Sequence, residues 1–213
     1  MKPDSRVQAI LRALKKAYPR ATCALHFSTP FQLLVATILA AQCTDKRVNR
    51  VTPALFKKYP TVAGFARASP TELERNIRST GFYRQKAKWI KETAQALLSR
   101  FKARVPKTME EMLTLSGVAR KTANVVLGTA YGIASGIVVD THVIRLSERM
   151  GLSKEKDPVK IEQDLVAWVP QRDWIWFGHA LTTHGRQVCI ARTPRCPTCP
   201  VRRWCPFPAK TMP

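Results

Sequence analysis

Acidic side chains are scarce in this sequence: 14 Asp and Glu stand against 36 Lys and Arg, a formal net charge of +22. From Trp174 to the C-terminus there is no acid at all, and between Met1 and Thr71 only Asp4 and Asp45 oppose twelve Lys and Arg. Such a surplus exceeds what solubility requires and faces a polyanion, either nucleic acid or an anionic membrane surface. Long apolar runs are missing too. The longest, Phe31 to Ala41, is broken by Gln32 and Thr37 and falls short of the roughly 20 residues that cross a bilayer. It reads as a buried helix, and no membrane partner is expected. The N-terminus has no apolar core and carries Asp4, so no targeting signal is expected either. The expected setting is a reducing one: the cytoplasm, in association with the nucleoid if the source is prokaryotic. Six cysteines in such a compartment are poor candidates for structural disulfides and better ones for a metal site.

Also absent are internal repeats, low-complexity tracts and Gly/Ser linkers, and there is almost no β-branched alternation. A hydrophobic fraction of 45% nevertheless provides for a real core and excludes disorder. The apolar periodicity is helical throughout and predicts an all-α fold of nine or ten helices. Ser69-Pro70-Thr71-Glu72, Thr108 with Glu111, and Asp157-Pro158 have the spacing of helix starts, while Gly81, Gly132 and Gly151 have that of stops.

Two segments carry chemistry. Cys189, Cys196, Cys199 and Cys205 form Cys-x6-Cys-x2-Cys-x5-Cys, with Pro194, Pro197, Pro200 and Pro206 stiffening the loop. Four thiolates at this spacing suit a cubane iron–sulfur cluster at least as well as zinc, whose structural sites more often pair two short knuckles. Cys23 and Cys43 are isolated and read as core residues. Arg186, Arg192, Arg195, Arg202 and Arg203 interleave with the ligands, so a metal-pinned loop would display cations suited to phosphate. The second segment, Met109 to Arg145, predicts a capped helix ending at Leu115, the turn Ser116-Gly117-Val118-Ala119, and a helix from about Arg120 to Ala130. Such a helix-hairpin-helix offers turn amides and a helix N-terminus to a phosphate, with Val118 packed inward to hold the turn shut.

The run LSGVARKTANVVL, the downstream VDTHVIR, the segment AAQCTD at Ala40 to Asp45 and the terminal cysteine pattern occur in that order. Together they resemble the endonuclease III family, the iron–sulfur branch of the helix-hairpin-helix base-excision DNA glycosylases, over about residues 25 to 205. The resemblance implies two helical lobes. The first is a central bundle over 23–134 containing the hairpin at about 108–130. The second is built from 1–22 and 135–213 and holds a 4Fe-4S cluster in the loop 189–205. It implies a monomer that acts on double-stranded DNA containing damaged bases or abasic sites, removing oxidised pyrimidines as a DNA glycosylase and cleaving 3′ to the abasic site as a lyase.

Position by position, the resemblance makes Lys121 the nucleophile and Asp140 the essential carboxylate. An amine that attacks C1′ must be neutral, which desolvation and neighbouring cations such as Arg120 favour. Asp140 would stabilise positive charge on the sugar, although as a residue it also suits a helix cap. Gln42 and Phe82 match residues that occupy the space left by a flipped nucleotide, Phe82 standing where leucine is more usual. Gly117, Val118, Ala119 and Arg120 would hold phosphate, with Ser116 and Ala119 departing from a more common proline and glycine. His142 would contact a phosphate or cap a helix, and His184 would be structural. Two alternatives remain at this level. One is a monofunctional adenine or thymine mispair glycosylase, which would lack the lysine. The other is a non-catalytic DNA-binding or redox-sensing module, which would need neither Lys121 nor Asp140.

Overall fold

A computed structural model describes residues 5–211. Its elements are α1 (Ser5–Ala17), α2 (Pro30–Leu39), α3 (Asp45–Lys58), α4 (Val62–Arg67), α5 (Pro70–Ile77), α6 (Tyr83–Arg100), α7 (Met109–Leu113), α8 (Arg120–Tyr131), α9 (Thr141–Arg149), α10 (Pro158–Trp168) and α11 (Trp174–Gln187). Single 3-10 turns occupy Arg78–Thr80, Gln171–Asp173 and Cys196–Thr198, and there is no strand among the described residues. The chain divides into two compact units, one running from Ala24 to Ser135 and the other joining the N-terminal segment up to Cys23 with the chain from Gly136 onward.

The continuous unit is organised around α2 and α8. Leu33 to Ala36, Ile38 and Leu39 are all buried, so α2 presents no solvent face, as its apolar run requires. It packs on α8, whose Ala123 to Gly128 are likewise buried, and on α3 and α6. The long helix α6 supports α4 and α5. In the discontinuous unit, Val7, Ile10 and Leu14 of α1 share one core with Val143 and Leu146 of α9, Ile161 and Leu165 of α10, Phe177 and Leu181 of α11, and Val201 of the cysteine loop. Each such side chain contributes about 1.5–3 kcal/mol on burial, so Phe177→Ala alone would cost about 3–5 kcal/mol.

Helix starts follow the side-chain chemistry. Thr29, Thr44, Thr61, Thr108, Asp140 and Asp157 each accept a first-turn amide. Ser69 begins α5 as its spacing suggests but makes no side-chain cap bond; the proline at the first position already removes one orphan donor. Gly132 closes α8 in the left-handed region and Gly151 follows α9 at φ +61°. Gly81 departs from the expected cap: its ψ of 159° carries the chain away from α5 rather than closing it.

Candidate functional site

In the hairpin, α7 ends at Leu113, two residues short of the sequence expectation. The Thr114 and Leu115 amides turn back to the Glu111 and Met112 carbonyls and tighten the last turn. Two side chains one turn apart on α6 then hold the loop. Thr93 Oγ1 donates to the Ser116 carbonyl at 2.8 Å, and Trp89 packs against Gly117, where a Cβ would sit 2.9 Å from the indole. Gly117 also has φ +72°, so space and backbone both demand glycine. Val118 is buried as expected, but its amide donates to the Leu115 carbonyl at 3.2 Å and is not available to a phosphate. That corrects the expected role of Val118, which serves the turn. The Gly117 and Ala119 amides make no hydrogen bond among the described residues. Ala119 has ordinary extended angles, φ −94° and ψ 171°, and provides no side-chain cap to α8. The start of α8 thus lacks the acceptor that Thr or Asp supplies elsewhere, which suits an external anion. Arg120 is half-buried at the first helical position, and Lys121, at the second, is exposed.

Gln42 and Phe82 share an unusual backbone. Both are exposed and both have left-handed angles, φ 50° and 47°, two of only four non-glycine residues with positive φ among the described residues. For a side chain as bulky as phenylalanine this is strain, and strain of this kind persists where surrounding structure imposes it. Phe82 is also the most exposed large apolar side chain described, at 65%. The guanidinium groups of Arg78 and Arg84 both lie within 6 Å of the neighbouring Tyr83 ring, so the apolar tip sits among cations.

In the discontinuous unit, Asp140 caps α9. Its Oδ1 accepts the His142 and Val143 amides at 2.8 and 2.9 Å, and its Oδ2 accepts the Thr182 hydroxyl at 3.2 Å. Thr182 belongs to a small-residue face of α11 that the sequence reading missed. A Cβ on Gly178 would stand 3.2 Å from the Val138 amide, and one on Gly185 would stand 2.8 Å from His142 Cβ. Glycines seven apart with a threonine between them share a helical face, and this spacing was the available signal. The face lets the segment leading into Asp140 lie directly against α11. His142 is half-buried, with Nδ1 3.2 Å from Arg145 Nη2. Burial holds its imidazole below the usual value, opposed by Asp140 and reinforced by Arg145 and Arg186; His179 is lowered by burial in the same surroundings.

The far end of α9 carries the cysteine loop. Arg145 Nη2 donates to the Gly185 and Cys189 carbonyls at 2.9 Å, and Arg149 reaches the carbonyls of Ile190 and Ala191 and the Cys189 sulfur. Cys189, Cys196, Cys199 and Cys205 line one cavity together with Arg149, His184 and Val201. Burial first, then the other three cysteines, push the Cys199 thiol up to about 11, and Cys205 is raised by burial and by Cys189 and Cys196. To be held together as thiolates, the four would need a compensating cationic centre. No group of three His, Cys, Asp or Glu side chains placed to hold a single metal ion is found among the described residues. His184 is fully buried and structural, its Nδ1 2.8 Å from the Tyr18 hydroxyl and its Nε2 3.5 Å from the Cys199 sulfur. Cys23 and Cys43 are half-exposed rather than core residues.

Residues 35–171 match the family model of HhH-GPD superfamily base excision DNA repair proteins. Endonuclease III from Synechocystis is 55% identical over 94% of this chain and 92% of its own length; that from Bacillus subtilis is 42% identical over 93% and 91%. The chain belongs to the endonuclease III family. Within that family, a non-covalent endonuclease III–DNA complex superimposes with a TM-score of 0.92 at 39% identity, covering 97% of this chain and 96% of the other. A trapped endonuclease III–DNA covalent intermediate gives 0.89 at 40% identity, covering 94% and 95%. A thermostable thymine-DNA glycosylase, at 22% identity and a TM-score of 0.85, shares the fold.

Proposed function

We propose that this chain performs its family's reaction, excision of oxidised pyrimidines from duplex DNA and cleavage 3′ to the resulting abasic site, through Lys121 and Asp140. The observation that carries the reading is the trapped covalent intermediate formed between an endonuclease III and DNA, since such an adduct requires a nucleophilic side chain. Lys121 is exposed on the first turn of α8, directly after the turn whose Gly117 and Ala119 amides are open to a phosphate. Its neutral amine attacks C1′ of the damaged nucleotide and the base leaves with the bonding electrons. Ring opening gives a protonated imine, which acidifies C2′; loss of that proton then expels the 3′ phosphate. Asp140, held in place by its two amide donors and Thr182, stabilises the cationic sugar and carries protons. Gln42 and Phe82 occupy the space vacated when the nucleotide turns out, and Arg120 and His142 bind the backbone.

Cys189, Cys196, Cys199 and Cys205 would hold a 4Fe-4S cluster, which supplies the positive core that their repulsion calls for and fixes the arginine-bearing loop. The presence of Lys121 disfavours a monofunctional mispair glycosylase, and the trapped covalent intermediate of a relative disfavours a module without activity. Borohydride reduction on DNA bearing an oxidised pyrimidine tests the whole scheme. A covalent adduct that disappears in Lys121→Ala is the expected result; no adduct with cluster-loaded native protein would refute it.

A further inference from the structure

Lys86, on the first turn of α6, is 1% exposed, yet no carboxylate pairs with it among the described residues. Its ammonium donates instead to two backbone carbonyls, Leu39 and Thr80, each at 2.8 Å. Burying a cation against neutral acceptors alone is costly, and burial lowers the proton affinity of this amine. An arrangement so expensive implies a geometric purpose.

The two carbonyls are not arbitrary. Leu39 is the last residue of α2, three positions before Gln42; Thr80 ends a 3-10 turn two positions before Phe82. The backbone of Lys86 holds Phe82 as well, its amide donating to the Phe82 carbonyl at 3.0 Å. One residue therefore fixes the chain on both sides of Phe82 and the end of the helix that launches Gln42. At Leu39 the ammonium also satisfies an orphan carbonyl at the negative end of α2. Both dependent residues sit in strained left-handed backbone, which relaxes unless something over-determines it.

We propose that Lys86 is a positioning residue that sets the separation of the Gln42 and Phe82 loops, and so determines how well the two side chains hold a nucleotide out of the duplex. This rests on the reading of Gln42 and Phe82 as the residues that enter the helix. Its consequence is selective. A duplex lesion must be unpaired and unstacked before attack, at a cost of a few kcal/mol that the filled gap offsets, whereas an abasic site in single-stranded DNA has no stack to refill.

The test compares single-turnover excision from a duplex containing an oxidised pyrimidine with β-elimination at an abasic site in a single-stranded oligonucleotide, using full-length cluster-loaded protein. For Lys86→Met, which keeps the length and removes the donors, duplex excision is expected to fall about 100-fold while single-strand cleavage changes less than about threefold. Lys86→Arg, which restores charge and donors, is expected to recover at least about a tenfold part of the duplex loss. Equal losses on both substrates, or no loss on either, would overturn the proposal. Should Lys86→Met not fold, Lys86→Arg decides alone: a duplex loss that exceeds the single-strand loss supports the proposal and equal changes overturn it. Gln42→Ala and Phe82→Ala keep the two readings apart. If these leave duplex excision intact, the gap-filling assignment itself is wrong; if they impair it while Lys86→Met does not, only the positioning role falls.

Discussion

Trp89 and Gly117 lie in such close contact that a single methyl group on Gly117 would stand 2.9 Å from the indole. Gly117→Ala therefore meets two penalties, the clash and a positive φ, and should destabilise the protein by about 2–3 kcal/mol. The hairpin turn would be displaced with it, so affinity for undamaged duplex should also fall. Urea unfolding and fluorescence anisotropy measure the two; a variant with native stability would contradict the packing described.

Asp140 has a structural and a proposed catalytic role, and two substitutions separate them. Asparagine caps a helix about as well as aspartate but carries no charge, so Asp140→Asn should stay within about 1 kcal/mol of native stability. Its excision rate should drop by about 100-fold or more, as expected when a charge-stabilising group is removed. Asp140→Ala should lose both, with a further stability cost of about 1–2 kcal/mol for the absent cap. Native turnover in Asp140→Asn would reduce the residue to a cap.

Much of this was legible in the sequence, for reasons that differ by residue. The four cysteines could be named from their spacing, as ligands that must reach one centre, whereas Lys121 could be named only through the resemblance carried by LSGVARKTANVVL, since a lysine at a helix start otherwise reads as a phosphate-contacting cation. Phe82 and Gln42 could be matched, but their left-handed backbone could not be foreseen, since neither residue type favours it. Lys86 itself was illegible. A lysine on a helix between Gln85 and Ala87 reads as a solvated side chain, and only the fold brings two carbonyls to it. Val118 was read half correctly: hydrophobicity announces that the side chain points inward, whereas the engagement of its amide with Leu115 is a detail of turn geometry.

The cysteine loop predicts a colour and a stoichiometry. Purified protein should be brown, with about four irons per chain, as one cubane requires. Cys199→Ala should lose iron and, with it, order in the loop that Arg145 and Arg149 bind. One zinc and no iron by elemental analysis would refute the cubane assignment.

Affinity for undamaged duplex should fall steeply with salt, log K decreasing by about 0.9 per tenfold rise in salt for each phosphate neutralised. The acid-free stretch from Trp174 onward makes Arg186, Arg192 and Arg195 the natural contributors. Replacing any one with Ala should lower the slope by about one unit, while an unchanged slope in the triple variant would place the contacts elsewhere.

Acid should destabilise the unit containing α9 and α11. Burial holds His142 and His179 below the imidazole value of 6.5, so the unfolded chain binds their protons first. Stability contributed above pH 6.5 is then lost as pH falls through the depressed folded values. Melting temperature measured between pH 7.5 and 5 should decline, and the decline should be shallower in His179→Gln. Equal slopes would exclude His179 as a source.

The division of the chain at Cys23 and Gly136 has a consequence for synthesis. The ribosome delivers α1 well before the side chains that share a core with Val7, Ile10 and Leu14, which come from α9 to α11 and from Val201. Residues 24–135 form a compact unit of their own and can fold during translation. Helix α1 must instead wait, with its apolar face open, until α9 to α11 have been made. A nascent chain that stopped after Ser135 but before α9 would hold a finished hairpin, with α1 still lacking the side chains that cover it.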